Sequence, residues 1–454
     1  MARRVVVLAL GLGASARAQG DAPAALDELI GRYFHEGSDN GRNQLLDRIE
    51  KAADGSINRV AEAVRKVQLW APIPETDRVV LSTTSAGQVS AIYHGFKNPD
   101  QPEARGMVLC LPASEGMEEA NLAINRAVMA LGPTLYDHSF IVALDKPIAG
   151  TFHQHPAAGD DFRQIIRELR RRLRLDTDRV FLFGYGQGGE AAWNAAISHP
   201  HLFAGVVAVA SHPRLPYPEQ LAPLLLPNLR KLPVLSIWES DAGDSPDDEV
   251  LATAVFNRAI ARFAENNRLP IRGLAATFRP TGSVDRPNDL PSYVETERAV
   301  LAFAEHRRSP AGQSATHWFR YLAQGDLGWL RAAKLHGDVW TEDQLSIVPT
   351  AQADRDTFIT DFFKQKLFHV SGEVAGQTIT IQTKGIAKLD VLFFDGMMDY
   401  GKPVTVLCNG RKRFEGLIKS AIATLLENAY DEWEFQRLVF STMTFSIRPD
   451  GAGD

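Results

Sequence analysis

The chain has 454 residues, of which 45% are hydrophobic and 23% charged, with a formal net charge of −6. That length implies two or three domains and a large core, and the composition excludes a disordered or low-complexity chain. The mild acidity gives no electrostatic reason to expect nucleic acid or an anionic membrane as partner.

The chain opens on "MARRVVVLALGLGASARAQ", in which Arg3 and Arg4 precede an apolar run from Val5 to Leu12 and then Ala16-Arg17-Ala18. This is the layout of a secretory signal peptide cleaved near Ala18, with an apolar run too short to span a bilayer. No later stretch reads as a transmembrane helix. The expectation is an exported protein, periplasmic or extracellular, with residues 1–18 as leader. The two cysteines, Cys110 and Cys408, each sit in an apolar strand-like run. An exported protein allows a disulfide between them, but two buried thiols are the commoner reading, and neither has metal-site spacing.

Residues 19–75 are predicted to be helical, because "ALDELIGRYF" and "NQLLDRIEKAADGSINRVAEAVRKVQLW" repeat apolar residues at three and four. From 76 to 310 strands and helices alternate. "GMVLCLP", "SFIVALD", "RVFLFG", "FAGVVAVAS" and "LPVLSIW" are short, wholly apolar strands. "EEANLAINRAVMAL", "DDFRQIIRELRRRLRL", "GEAAWNAAISH" and "DEVLATAVFNRAIARFAENN" are helices between them. In "DDFRQIIRELRRRLRL" the residues Ile165, Ile166, Leu169 and Leu173 point inward and the arginine run reads as a solvated face. This order predicts an α/β fold with a mainly parallel sheet wrapped by helices. From 311 to 454 "TITIQT", "LDVLFF" and "PVTVLC" are strand-like, and Asn409-Gly410 marks a hairpin turn in a β-rich domain. Trp318, Trp329 and Trp340 are either core or a surface for a sugar or polymer ligand, and core is the commoner use of such spacing.

"FLFGYGQGGEAAW" carries two overlapping patterns. Gly184, Gly186 and Gly189 spell G-x-G-x-x-G, but the following strand ends in Ser211-His212 where a dinucleotide site needs an acidic residue. Gly184 and Gly188 also bracket a strand-to-helix turn of the nucleophile-elbow type, with Gly186 at the nucleophile position. No cofactor is expected.

The stretch "RLDTDRVFLFGYGQGGEAAWNAAISHPHLFAGVV" resembles the α/β-hydrolase superfamily, in its secreted esterase, polyhydroxyalkanoate-depolymerase-like and prolyl-oligopeptidase-like branch. The resemblance implies a serine nucleophile, a histidine base, an acid that orients it and an oxyanion hole. This chain departs from that set at several expected positions. Gly186 replaces the serine. Gly282-Ser283 stands where a Gly-His pair is expected, and the loop "TGSVDRPNDLPS" has no histidine. The acid position is straddled by Asp241 and Asp244. The oxyanion loop reads Pro112-Ala113-Ser114-Glu115-Gly116, in which proline has no N–H and Glu115 would oppose an oxyanion. The amide of Gln187 remains as one donor.

The expectation is therefore a non-catalytic relative that binds a small-molecule, sugar or polymer ligand. The alternative is an active ester or peptide hydrolase using a non-standard nucleophile or metal-bound water. His153, His155, Asp160 and Asp161 in "TFHQHPAAGDD" are donor types suited to zinc, weighed against loop histidines and an aspartate capping the next helix. "DYGKPVTVLCNG", Asp399 to Gly410, resembles a hairpin in the β-rich tail of some secreted esterase-like proteins and brings no catalytic residue.

Overall fold

The computed structural model describes residues 25–67, 69–70, 76–82, 88–94, 105–136, 139–148, 158–240, 248–276, 278–280, 289–291, 305–312, 314–345 and 351–448. The leader, His153, His155, Asp241, Asp244 and Ser283 lie outside these residues. The chain forms two compact units, Met1–Leu69 and Trp70–Asp454.

The first unit holds α1 (Leu26–His35), α2 (Asp39–Ala52) and α3 (Ile57–Lys66). Leu29, Ile30, Tyr33 and Phe34 form the buried face of α1, at the spacing its sequence dictates. Ser38 and Ser56 cap α2 and α3 by accepting from backbone amides of the first turn. Asp54 and Gly55 adopt positive φ, which divides the long helical reading into α2 and α3.

The second unit is built on an eight-stranded sheet in the order β1-β2-β4-β3-β5-β6-β7-β8. Its strands are β1 (Thr76–Ser82), β2 (Gln88–His94), β3 (Arg105–Leu111), β4 (Ser139–Leu144), β5 (Leu175–Tyr185), β6 (Gly205–Val209), β7 (Val234–Glu239) and β8 (Ile271–Ala276). β2 pairs antiparallel with β1 and β4, and every other pairing is parallel. The apolar strands are buried on both faces, as a covered parallel sheet requires. Val108, Cys110, Phe181, Phe183 and Val207 face one core together with α4 (Met117–Tyr136). Met107, Leu109, Leu182, Val206 and Ala208 face the other, with α5 (Ala158–Arg172) and α6 (Gln187–Ser198). Cys110 and Cys408 are both buried free thiols. α7 (Pro218–Leu225) and α8 (Asp248–Asn267) follow β6 and β7, and β9 (Phe278–Pro280) pairs with β10 (Asp289–Pro291). Among the described residues no helix is long and apolar enough to cross a membrane.

Residues 315–446 form two further sheets. One has the order β11-β13-β14-β16-β17, from Ala315–Phe319, Phe368–Ala375, Thr378–Lys384, Val404–Cys408 and Arg411–Gly416. The other has the order β12-β15-β18, from Leu330–Leu335, Ile386–Phe394 and Val439–Ser446. Their apolar faces share one core that includes Trp329, Val370, Ile381, Val391, Phe393 and Val406. The β16–β17 turn has positive φ at Asn409 and Gly410, the requirement of a two-residue hairpin. Asn409 also accepts from the Thr383 amide at 2.8 Å, and Asp399 ion-pairs with Lys402 at 2.9 Å, so this motif has a structural use. α9 (Gln352–Lys366) places Ile359 and Phe363 in the core of the α/β layers beside Trp340, and α10 (Ile422–Glu432) packs on β18. Trp329 and Trp340 are buried, and the half-buried Trp318 lies 4.4 Å from the His369 ring.

One expectation is corrected. The arginine run of α5 is not simply a solvated face, because Arg170 is only 6% exposed. The β-rich part brings Glu432 and Glu434 onto this face. Arg170 lies 3.5 Å from Glu434, and Arg163 lies 2.7 Å from Glu432.

Candidate functional site: the turn after strand β5

β5 ends at Tyr185 and α6 begins at Gln187, so one residue makes the turn. That residue is Gly186, with φ 54° and ψ −124°. Residues with a side chain rarely take this conformation, and a nucleophile elbow imposes it. Its amide donates to the Val209 carbonyl at 2.9 Å, which ties the turn to the end of β6. Tight packing surrounds the bend. A Cβ at Gly184 would collide with the Gly188 backbone, one at Gly188 with the Leu111 carbonyl, and one at Gly189 with the Ser211 side chain. Among the described residues, a Cβ at Gly186 itself meets no atom within 4 Å. The fold therefore presents open space at the one position where a side chain would stand above the sheet edge.

The neighbouring expected positions fall around this turn. Gly188 packs on Leu111, so the loop Pro112-Ala113-Ser114-Glu115-Gly116 leaves β3 beside the elbow. Ala113 is half-buried, whereas Ser114 and Glu115 are exposed. The loop is anchored at its far end by the Gly116 amide, 2.8 Å from the Asp145 carbonyl. Gln187 is exposed at the first turn of α6, where its amide has no preceding intrahelical acceptor. The described part of β7 brings Glu239, half-buried, to the same edge. Asp160 belongs to α5 and Asp161 is fully buried there. Among the described residues no group of three His, Cys, Asp or Glu side chains is arranged to hold a metal ion.

Two polar contacts flank the elbow that sequence reasoning had not singled out. The Arg126 guanidinium from α4 lies 4.4 Å from the centre of the Tyr185 ring and 3.4 Å from Glu119. The sequence signal was a lone arginine within an otherwise apolar stretch of α4. Arg214 bridges Glu190 of α6 and Glu249 of α8, at 2.7 Å to each. Burial raises the pKa of Glu190, opposed by the Arg214 charge.

Ser211 and His212 do not act together. The Ser211 side chain is buried beside Gly189. The His212 ring stacks on Phe256 at 4.8 Å, and its Nδ1 lies 3.3 Å from Thr253 Oγ1. Burial, then the Arg214 charge, lowers the pKa of His212.

No family model matches the chain. It is 27% identical over 249 residues to NocK of Nocardia uniformis subsp. tsuyamanensis, provisionally described as an esterase, covering 51% of this chain and 70% of that protein. Among solved structures it is similar to a thermostable esterase, with 15% identity and a TM-score of 0.39 over 52% of this chain and 63% of that one. The match therefore spans less than two thirds of that esterase. A hyperthermophilic esterase from the archaeon Pyrobaculum calidifontis gives 13% identity and a TM-score of 0.33 over 62% of this chain and 95% of that one. The protein is an α/β chain with a mainly parallel eight-stranded sheet and a tight turn at Gly186, similar in sequence over about half its length to a protein provisionally described as an esterase.

Proposed function

We propose that this is an exported, non-catalytic member of the esterase-related α/β hydrolases, which binds a ligand or partner over the vacated elbow. The observation that carries this reading is Gly186 at φ 54° in the nucleophile turn, with open space above it and no side chain to acylate. Removing the nucleophile of a serine hydrolase costs about 10⁶ in turnover, and binding with oxyanion donors leaves only about 10³–10⁴ over water. Here the donor array is itself reduced by Pro112, and no histidine stands in the loop around Ser283. An acid at Asp241 or Asp244 would have no base to orient.

The test is a turnover screen of the purified protein on activated esters and peptide anilides, with and without chelator, beside Gly186→Ser. The reading expects background rates in every arm, and little gain from the substitution because the base is also missing. Chelator-sensitive turnover would replace it with a metal-bound-water hydrolase.

A further inference from the structure

At the end of the sheet opposite the elbow, α5, the start of β5 and the β-rich part enclose a cavity of about 160 Å³. β5 separates the two places: Asp178 stands eight residues before Gly186, about 26 Å along an extended strand. One side of the cavity is an arginine cluster. Arg308 Nη2 lies 3.0 Å from Glu434 Oε2 and 3.4 Å from Asp178 Oδ1. Arg437 Nε lies 2.6 Å from Asp178 Oδ1, and its other nitrogens donate to the Ser309 and Arg308 carbonyls. Arg170 donates to the Glu432 carbonyl at 3.1 Å and lies 3.5 Å from Glu434. Arg163 and Arg331 share Asp326, at 3.0 and 2.9 Å.

Five guanidinium groups thus share four carboxylates, Asp178, Asp326, Glu432 and Glu434. Arg230 and Lys231 line the cavity as well, are exposed, and make no ion pair among the described residues. Burial and the nearby Arg308 both lower the pKa of Arg170. The same two causes, burial first, hold Arg437 at about 10. Among the described residues the positive charges here outnumber the carboxylates that face them. The other wall is apolar, from Leu202, Phe203, Leu232, Trp329 and Phe394.

We propose that this cavity is a binding site for a small organic carboxylate with a compact apolar body, of the aryl-carboxylate class. An apolar cavity of about 150 Å³ takes up benzene, so the volume suits one aromatic ring. The cation excess supplies what a carboxylate needs and what a neutral ring does not use. Inorganic phosphate would leave the apolar wall without a partner. The pair Arg230 and Lys231 gives the entrance the same sign as the cluster behind it.

The probe is benzoate, titrated calorimetrically into the full chain, with benzamide and inorganic phosphate as comparisons. The expected result is saturable binding of benzoate at one site, with benzamide and phosphate each weaker by about tenfold or more. The double variant Arg230→Glu, Lys231→Glu lies on the surface and retains the fold, and weakens benzoate by about tenfold. Ala315→Phe fills the cavity from β11 and abolishes binding in protein whose circular dichroism is unchanged. Gly186→Ser leaves the affinity unaltered, which separates this site from the elbow. Absence of saturable benzoate binding would overturn the proposal. So would benzamide or phosphate equalling benzoate, or folded Ala315→Phe binding as the parent does.

Discussion

The Gly186 amide donates to the Val209 carbonyl at 2.9 Å, one residue beyond the last β5–β6 pair, Tyr185 with Val209. The bend is thus held by main chain on one side and by glycine contacts on the other. No side chain at position 186 is needed to form it.

Gly186→Ser should therefore fold. Among the described residues the new Cβ meets no atom within 4 Å, so the expected cost is that of the positive φ, about 1–2 kcal/mol. Chemical denaturation should show that loss, and Gly186→Ala should show a similar one.

Gly188→Ala should behave differently, although it lies two residues away. Its Cβ would fall on the Leu111 carbonyl, part of a central strand that cannot give. The expected destabilisation is about 3 kcal/mol or more. Gly184→Ala collides with the Gly188 backbone and should match it. Equal midpoints for the 186 and 188 alanine variants would contradict the packing described.

Glu434 is 7% exposed and stands between Arg170, Arg308 and the Thr177 hydroxyl. Those charges hold its pKa down at about 2, against the effect of burial. Glu434→Gln leaves two buried guanidinium groups without that carboxylate, and should cost about 3 kcal/mol in urea denaturation. Glu427→Gln, at an exposed position of α10, serves as control.

Acid should destabilise the region below α6 before it affects ordinary carboxylates. His199, His201 and His317 are held below the usual histidine range, with burial the first cause for each. His201 is lowered to about 3 and His317 to about 4. His201 lies 3.7 Å from Asp326, but Arg163 and Arg331 already bind that carboxylate. Above an unfolded pKa of about 6.5 these histidines are neutral in both states. As pH falls through about 6.5 the unfolded chain takes up protons that the native state refuses. Stability then falls by about 1.4 kcal/mol per pH unit for each histidine, until the native values are reached. The depressed carboxylates of Glu434 and Asp326 lose their contribution only at lower pH, below about 4. Denaturation midpoints measured between about pH 7 and about pH 5 check this.

Much of the frame could be read from sequence because it is local. "GMVLCLP" announces a strand covered on both faces, and its alternate residues do enter different cores, Val108 and Cys110 in one, Met107 and Leu109 in the other. The turn was legible because its glycines fall together between Gly184 and Gly189, although the contacts that require Gly188 and Gly189 come from Leu111 and Ser211, distant in sequence. The strands Phe368–Ala375 and Val439–Ser446 were not, since "FHVSGEVA" and "VFSTMTFS" mix polar residues and a glycine into the alternation. Arg170 was misjudged for a longer-range reason. Its partner Glu434 arrives from the far end of the chain, and no local pattern in α5 records that approach. The β-rich part hides its charge network in the same way.

The central claim is that the turn after β5 carries no group able to form an acyl or phosphonyl bond. Intact-mass measurement after exposure to an excess of a fluorophosphonate tests it directly. The expected spectrum is that of the unmodified chain. A stoichiometric phosphonyl adduct, mapped to any residue at the sheet edge around Gly186, would contradict it.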